Sequence, residues 1–170
     1  MATMMSAAAV TVALITLLWH SIGKVRIDRV TRTFEFLIAT RSSERLVELR
    51  RLRKQFFAEG EPISAEWFAR HIHMSDIQVG SDSNLIRSRE AAEAIREMLN
   101  TYEFMALRAS KSDLDRNILR KALRGIVSSF VIDCMPAIEH ARSQNPVAYR
   151  HLVELYQEWR SLGDPEFRDR

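Results

Sequence analysis

The chain has 170 residues, a formal net charge of +3 and a single cysteine, and its length suits one hydrophobic core. One cysteine excludes an internal disulfide, and only 5 glycines and 4 prolines exclude collagen-like or low-complexity structure. Abundant Leu, Ala, Arg and Glu predict an all-α protein, with one N-terminal transmembrane helix followed by a cytoplasmic bundle of about five helices.

The first stretch of the chain, Met4–Ile22, contains no charged residue and is mostly apolar. At about 1.5 Å of rise per residue, a helix of this length spans nearly the ~30 Å hydrocarbon layer of a bilayer. A cleavable signal peptide would need a positive charge before this stretch, whereas the first charged residue is Lys24. The other competing interpretation is a helix buried in the protein's own core. We predict an uncleaved anchor within residues 1–24.

The basic residues nearest the anchor all follow it, and such residues tend to remain in the cytoplasm. We therefore predict a single-pass inner-membrane protein with its N-terminus outside and its C-terminal domain in the cytoplasm. Trp19 suits the headgroup interface. Residues 24–58 carry ten Lys or Arg against four Asp or Glu, and anionic lipid attracts such residues by about 1 kcal/mol each. The predicted membrane-surface basic residues are Lys24, Arg26, Arg29, Arg32, Arg50, Arg51, Arg53 and Lys54.

The first half of the predicted cytoplasmic domain consists of basic juxtamembrane helices, residues 25–60, followed by a short helix and a loop, residues 61–84. In the juxtamembrane part an apolar stripe either packs on the domain, which we favour, or pairs with a second copy. Ser64 should cap the short helix, and residues 74–84 should form a mobile loop because they have turn chemistry and little to bury. The stripe consists of Ile27, Val30, Phe34 and Leu37.

The predicted bundle core, residues 85–163, contains a central helix over residues 85–109, whose apolar stripe has heptad spacing. A capping box at Ser112 should open the next helix, which Pro136 should end or kink. The last helix should start at Asn145-Pro146, and residues 164–170 should form a flexible tail. The central stripe consists of Ala92, Ile95, Leu99, Tyr102, Ala106 and Ala109, and Cys134 should be buried.

Two carboxylates fall on helix faces that should be buried, Glu103 at the edge of the central stripe and Asp133 in the most apolar helix. A buried carboxylate must be paired, hydrogen-bonded or protonated. Arg142 is a plausible partner for either one. We predict a structural polar network of Asn100, Glu103, Asp133 and Arg142.

The same carboxylates could instead perform acid–base catalysis or bind a metal. The chain has no Glu-x-x-His on a helix, no HExxH motif and no cysteine-rich spacing, so we predict no metal or other cofactor. His71 and His73 could supply two ligands from an extended segment, but this spacing is common by chance. No serine with a neighbouring histidine suggests a nucleophile, and we predict no catalytic residue.

Several residues in the second half of the chain resemble the signature of one bacterial family. They are Leu99–Glu103 (LNTYE) with Phe104–Leu107, then Asp115, Leu119 and Arg120, and finally Arg142, Asn145-Pro146, Tyr149, Leu155 and Trp159. Over roughly residues 26–160, the chain is similar to the bacterial domain of unknown function 4760 family. The resemblance implies a small helical protein, often with an N-terminal membrane helix, and no established activity.

The sequence shows no catalytic or metal-binding motif and predicts a membrane anchor. We therefore expect a non-catalytic protein at the cytoplasmic face of the membrane. It would act as an accessory or regulatory subunit, with a protein partner or a homo-oligomer as its contact beside the bilayer itself. One alternative is an enzyme acting through Glu103, Asp133 and a loop residue such as His73 or Asp76. Another is binding of anionic lipid or nucleic acid by the basic stretch, although nucleic acid is not expected without interleaved aromatic residues or a glycine-rich loop.

Overall fold

A computed structural model describes the backbone of residues 2–162 and the side chains of residues 19–162. Within residues 2–162 the chain forms seven helices and no strand, which confirms the predicted all-α class. The helices are α1 (Ala2–Ser42), α2 (Glu44–Lys54), α3 (Ala65–Ile72), α4 (Asp76–Val79), α5 (Ser83–Ser110), α6 (Arg116–Gln144) and α7 (Arg150–Ser161).

The first helix, α1, is continuous over 41 residues, or about 60 Å at 1.5 Å per residue. The predicted anchor lies in its N-terminal half, and the side chains of residues 4–18 lie outside the described residues. Where side chains are described, no helix combines the length and apolar character needed to cross a bilayer. The anchor stays a prediction. The predicted tail, 164–170, also lies outside the described residues.

Among the described side chains of α1, those that are buried against the bundle lie in its C-terminal part, and the helix contacts α2 and α6. Thr33, Leu37 and Thr40 are buried there, and the Thr33 hydroxyl accepts a hydrogen bond from the Asp115 backbone N–H at 2.8 Å. The predicted apolar stripe points elsewhere: apart from Leu37 it is not buried, and Phe34 is 52% exposed. The favoured prediction that this stripe packs on the domain is therefore wrong for most of its length.

Serine caps begin the short helices that follow. The Ser43 hydroxyl accepts from the Leu46 N–H at the start of α2, and Ser64 does the same for α3, as predicted. The segment predicted to be a mobile loop, residues 74–84, contains α4 instead. Ser75 opens α4 through a reciprocal capping box with Gln78, and such a box stabilises even one turn.

A long stripe of core residues belongs to α5, which contacts α2, α3 and α7. Every residue of the predicted central stripe is at most 2% exposed. The prediction that this helix forms the centre of the core is therefore confirmed. Its Tyr102 ring meets Phe130 of α6 at 5.5 Å between centroids, which joins the two longest helices of the bundle.

The sixth helix, α6, begins after Asp115, whose carboxylate accepts from two backbone N–H groups of the first turn. Ser112, the predicted cap, has a left-handed backbone (φ 59°) and lies before the helix. The helix also continues through Pro136, so the prediction that it could end there is wrong. Proline removes one helical hydrogen bond, but the adjacent Ala137 and Ile138 are at most 1% exposed, and this packing maintains the helix.

One face of α6 remains open to solvent. Ile126 and Ile132 are 46% and 48% exposed, and Ser129 between them is exposed. The opposite face carries fully buried residues, including Cys134, whose predicted burial is confirmed. The helix that is most apolar in the sequence is therefore buried on one face only.

Candidate functional site

Two polar centres, one buried and one partly buried, and several surface grooves hold the residues that could carry chemistry in the described part of the chain. The first centre is an ion pair between Arg53 on α2 and Asp133 on α6, with side chains 9% and 2% exposed. The Arg53 guanidinium donates a hydrogen bond to the Asp133 carboxylate. In addition, the Asp133 backbone carbonyl accepts from the Ile63 N–H at 2.7 Å. One position of α6 thereby holds α2 and the segment before α3.

Burial dominates the electrostatics of this centre. It raises the pKa of the Asp133 carboxyl above its ordinary value, while the adjacent Arg53 charge favours the ionised form and opposes that rise. Both partners are almost entirely enclosed by the helices around them, so each must neutralise the charge of the other. This geometry is that of a structural ion pair.

The predicted polar network is not formed as expected. Arg142, the expected partner of both carboxylates, is exposed near the C-terminal end of α6. Asn100 is exposed as well. Arg53, which was predicted to face the membrane surface, takes the place of Arg142 and lies in the interior. Its spacing is the signal that could have identified it, because Arg53 follows the buried Leu46 by seven residues and Leu49 by four, on the same helix face.

The second centre is Glu103, which caps a helix from a distance. The chain enters α7 through Tyr149 in a left-handed conformation (φ 51°), which supplies no side-chain cap. The Glu103 carboxylate instead accepts from the backbone N–H of His151 at 3.2 Å and of Leu152 at 2.8 Å. The His151 imidazole Nδ1 lies 2.8 Å from the same carboxylate. The start of α7 at Arg150, four residues after the predicted start, follows from this arrangement.

A groove of about 520 Å³ opens beside Glu103, between α3, α5 and the end of α6. His73, Asn100, His140 and Asn145 also line it. Within the described residues, no group of three or more potential metal-binding side chains comes together here or elsewhere.

The two histidines that could have formed a metal site occupy different environments. His71 is 7% exposed, and its Nδ1 lies 2.7 Å from the Trp67 carbonyl. His73, in contrast, is exposed at the end of α3. The structure therefore separates the two candidate ligands.

Several of the predicted membrane-surface basic residues are engaged in ion pairs. Arg32 contacts Asp113 at 2.7 Å, Arg51 contacts Glu48 at 2.8 Å and Lys54 contacts Glu59 at 2.7 Å. Nearer the predicted anchor, Lys24 and Arg26 are exposed, and Arg29 is partly buried. Trp19 is 78% exposed.

A second groove, of about 580 Å³, lies between α1 and α6 and is almost entirely apolar. Phe34 and Ile38 of α1 line it and are 52% and 65% exposed, and Ile118 of α6 lines the opposite side. Arg41 and Lys121 border it. Contiguous exposed apolar side chains with a polar border are typical of an interaction surface.

One family model matches the chain, over residues 3–159, and its description is a domain of unknown function (DUF4760). The chain belongs to the DUF4760 family. No curated protein matches it, and no solved structure matches it.

In this DUF4760 domain, several of the residues on which the resemblance rests stabilise the fold. Leu99, Leu119 and Trp159 are fully buried, and Glu103 caps α7. The match starts at residue 3, so the family domain includes the N-terminal part of α1 and is longer than the predicted 26–160. The DUF4760 description itself assigns no chemistry.

Proposed function

We propose that this protein is a membrane-anchored, non-catalytic interaction module, held by the N-terminal part of α1 with its helical domain on the cytoplasmic side. The main observation is the exposure of apolar side chains on α1 from the end of the uncharged stretch towards the bundle. Trp19, Ile22, Val25 and Ile27 are all at least 55% exposed. A long helix whose apolar side chains find no cover in their own domain is typical of one that meets lipid or another chain.

Two further observations support this proposal. The exposed cations Lys24 and Arg26 directly follow the uncharged stretch, where they favour the cytoplasmic side and anionic headgroups. Both carboxylates with catalytic potential already have partners, since Asp133 pairs with Arg53 and Glu103 caps α7. An accessory role as part of a membrane complex fits these features better than catalysis.

We infer that the partner is a second copy of this chain, docked at the groove between α1 and α6. Two copies anchored by the same helix stand side by side in one orientation, so equivalent faces of α1 can meet across a two-fold axis. Phe34 and Ile38 then fill the groove of the partner while their own groove is filled. The charges of the two copies are also complementary. Glu35 is exposed beside Phe34, and the groove that would receive Phe34 is bordered by Arg41 and Lys121.

Two measurements on the full chain test the proposal. First, the membrane fraction of expressing cells is washed with alkaline carbonate, which releases peripheral proteins but not integral ones. Second, the mass of the protein in mild neutral detergent is measured by light scattering for three forms: wild type, Ile38→Glu and Val47→Glu. Val47 is 56% exposed on α2 and lies outside the groove, so it is the matched control.

We expect the protein to resist carbonate extraction, the wild type and Val47→Glu to be dimers, and Ile38→Glu to be a monomer because a charge is placed in an apolar interface. Release by carbonate would contradict the anchor. A wild-type monomer, or a dimer that survives Ile38→Glu, would contradict docking at this groove.

A further inference from the structure

A third groove, of about 420 Å³, lies where α2 crosses α5 and α6, and its polar lining is rich in donors. Arg50, Arg53 and Lys54 enter it from α2, Tyr102 from α5 and Ser129 from α6, and Phe130 forms part of its apolar side. Five hydrogen-bonding side chains from three helices thus face one concave surface. Apart from the Arg53–Asp133 ion pair, the roles described above do not use this surface.

Arg53 brings a donor that its ion pair leaves unused. Its side chain is nine-tenths buried, and its Nη2 donates to Asp133. The Nε–H, however, has no acceptor among the described residues. The guanidinium lies over the Phe130 ring, 5.5 Å from the centroid, so ring packing and Asp133 hold it in place at the groove.

The guanidinium of Arg50 has even fewer hydrogen-bond partners than that of Arg53. Its Nε is also buried without an acceptor, and its Nη2 has only a long contact of 3.4 Å with the Tyr102 hydroxyl. The neighbouring arginines of the same helix differ, since Arg45 pairs with Glu97 and Arg51 with Glu48. A guanidinium without a carboxylate, beside a second one with a spare N–H, costs free energy that an anionic ligand would recover.

The net charge of the lining is positive. Three cations line the groove against one carboxylate, Glu59, which pairs with Lys54 at the exposed rim at 2.7 Å. Asp133 lies behind Arg53 and offsets part of its charge. Arg50 therefore remains the uncompensated cation.

We propose that this groove binds the phosphate of a phosphate monoester, with Arg50 as the principal contact and with Arg53, Tyr102 and Ser129 as further donors. A phosphate has three acceptor oxygens and up to two negative charges, and arginine forks recognise it in bidentate fashion. A single carboxylate would leave several of these donors without acceptors. The apolar side formed by Ile126 and Phe130 suits the organic part of the ester. This proposal does not depend on the anchor or on the second copy.

The test measures thermal unfolding of the full chain in neutral detergent as sodium glycerol 3-phosphate is added, with sodium chloride at matched ionic strength as the reference. A ligand that binds only the folded state raises the melting temperature as its concentration rises. Three variants are compared: Arg50→Gln, Arg50→Lys, and Arg51→Gln as the control on the same helix.

We expect glycerol 3-phosphate to raise the melting temperature of the wild type and of Arg51→Gln equally. Arg50→Gln should weaken the apparent affinity about tenfold or more, since a charged hydrogen bond is lost. Arg50→Lys should fall between them because it keeps the charge but not the fork. No rise beyond the chloride reference, or equal weakening by Arg50→Gln and Arg51→Gln, would overturn the proposal. Circular dichroism in the absence of ligand confirms that each variant is folded.

Two sources could supply the phosphate, a soluble ester or the headgroup of an anionic lipid, and the same titration distinguishes them. The wild type is reconstituted in phosphatidylcholine vesicles with or without phosphatidate. If the lipid occupies the groove, phosphatidate abolishes the response to glycerol 3-phosphate in the wild type. If the ligand is soluble, the response is the same in both vesicles. Either result supports the site and assigns its source.

Discussion

Arg53 is tolerated inside the protein only because Asp133 lies beside it. Removing one partner of such a pair leaves a charge buried without compensation, whereas replacing both with apolar side chains of similar size is often neutral. The difference in stability between the single and the double replacements therefore tests whether the pair has a structural role, and it can be measured directly.

We expect Arg53→Met to lower the free energy of unfolding by about 3–5 kcal/mol at neutral pH. The double variant Arg53→Met with Asp133→Leu should recover most of that loss. Urea unfolding of the wild type, both single variants and the double variant completes the cycle. A double variant as unstable as the sum of the two single variants would show that the pair is not coupled.

The pH dependence of Arg53→Met has a definite sign. Burial already raises the pKa of Asp133, and loss of the Arg53 charge removes the effect that opposes it. The folded state then holds its proton to higher pH than the unfolded state does, so the stability of the variant falls as pH rises above the ordinary range of an aspartate. The loss relative to wild type should be smaller near pH 4 than near pH 7. The same denaturation series at the two pH values checks this.

Glu103 should matter for α7 in the way that an N-cap does. Glu103→Ala removes the acceptor for the His151 and Leu152 N–H groups, and loss of a cap costs about 1–2 kcal/mol. Glu90, exposed on the same helix α5, gives the control Glu90→Ala. Hydrogen exchange should accelerate at the start of α7 in the first variant and not in the second. Unchanged protection there would mean that the cap contributes little.

Besides its buried residues, α1 is attached to the bundle through an ion pair with Asp113. Asp113 lies between α5 and α6 and accepts from Arg108 at 2.6 Å and from Arg32 of α1 at 2.7 Å. These two hydrogen bonds lower the pKa of Asp113 below its ordinary value, with Arg108 the larger contributor. The ionised carboxylate therefore connects α1 to the end of α5.

A carboxyl whose pKa is lowered in the folded state contributes stability above its unfolded pKa and loses it as pH falls through the folded one. We therefore expect Asp113→Asn to be less stable than wild type at pH 7, by up to about 1 kcal/mol for a partly exposed pair. The difference should begin to shrink as pH falls below about 4, the ordinary pKa of an aspartate, and should disappear only below the lowered pKa of Asp113. Thermal unfolding between pH 3 and 7 measures this decrease; a gap that does not shrink at low pH would assign the effect to packing instead.

The helices that the sequence predicted well have local signals. Ser64 and the heptad-spaced residues of α5 specify a start and a face within a few turns of chain. The short helix α4 has a local signal too, the Ser75 and Gln78 capping box, but its turn-rich composition masked it. The continuation of α6 through Pro136 has none, since it depends on side chains brought together by the whole fold.

The residues of the candidate site also differ in how far the local sequence identifies them. Both carboxylates were recognisable because a charge on an apolar face requires a partner. The partner itself was not, because Arg53 is 80 residues away from Asp133 along the chain. The cap that Glu103 gives to α7 likewise depends on a left-handed Tyr149, which no local rule indicates. Sequence spacing therefore identifies a need for a partner, and only the tertiary fold supplies that partner.

The bundle as a whole should fold without the N-terminal part of α1. In the described part of the chain, the first apolar residue of the core is Leu37. Deletion of residues 2–26 should therefore leave the helical content and the Trp159 environment intact. The melting temperature should change by less than about 4 °C, which corresponds to under 1 kcal/mol for a domain of this size. The deleted form should also leave the membrane fraction.

Circular dichroism and tryptophan fluorescence of the deleted form provide the measurement. Loss of cooperative unfolding would show that the bundle needs the deleted helix as part of its core. A deleted form that folds but remains in the membrane fraction would instead indicate a second attachment elsewhere in the chain.

The burial of Cys134 has a practical consequence. It is the one cysteine in the sequence, it is fully enclosed in α6, and burial raises the pKa of its thiol well above the usual range. Reagents that react with a thiolate will therefore not modify Cys134. A spin label or fluorophore attached through a new cysteine at any exposed position will therefore report from that position alone, with no background substitution required.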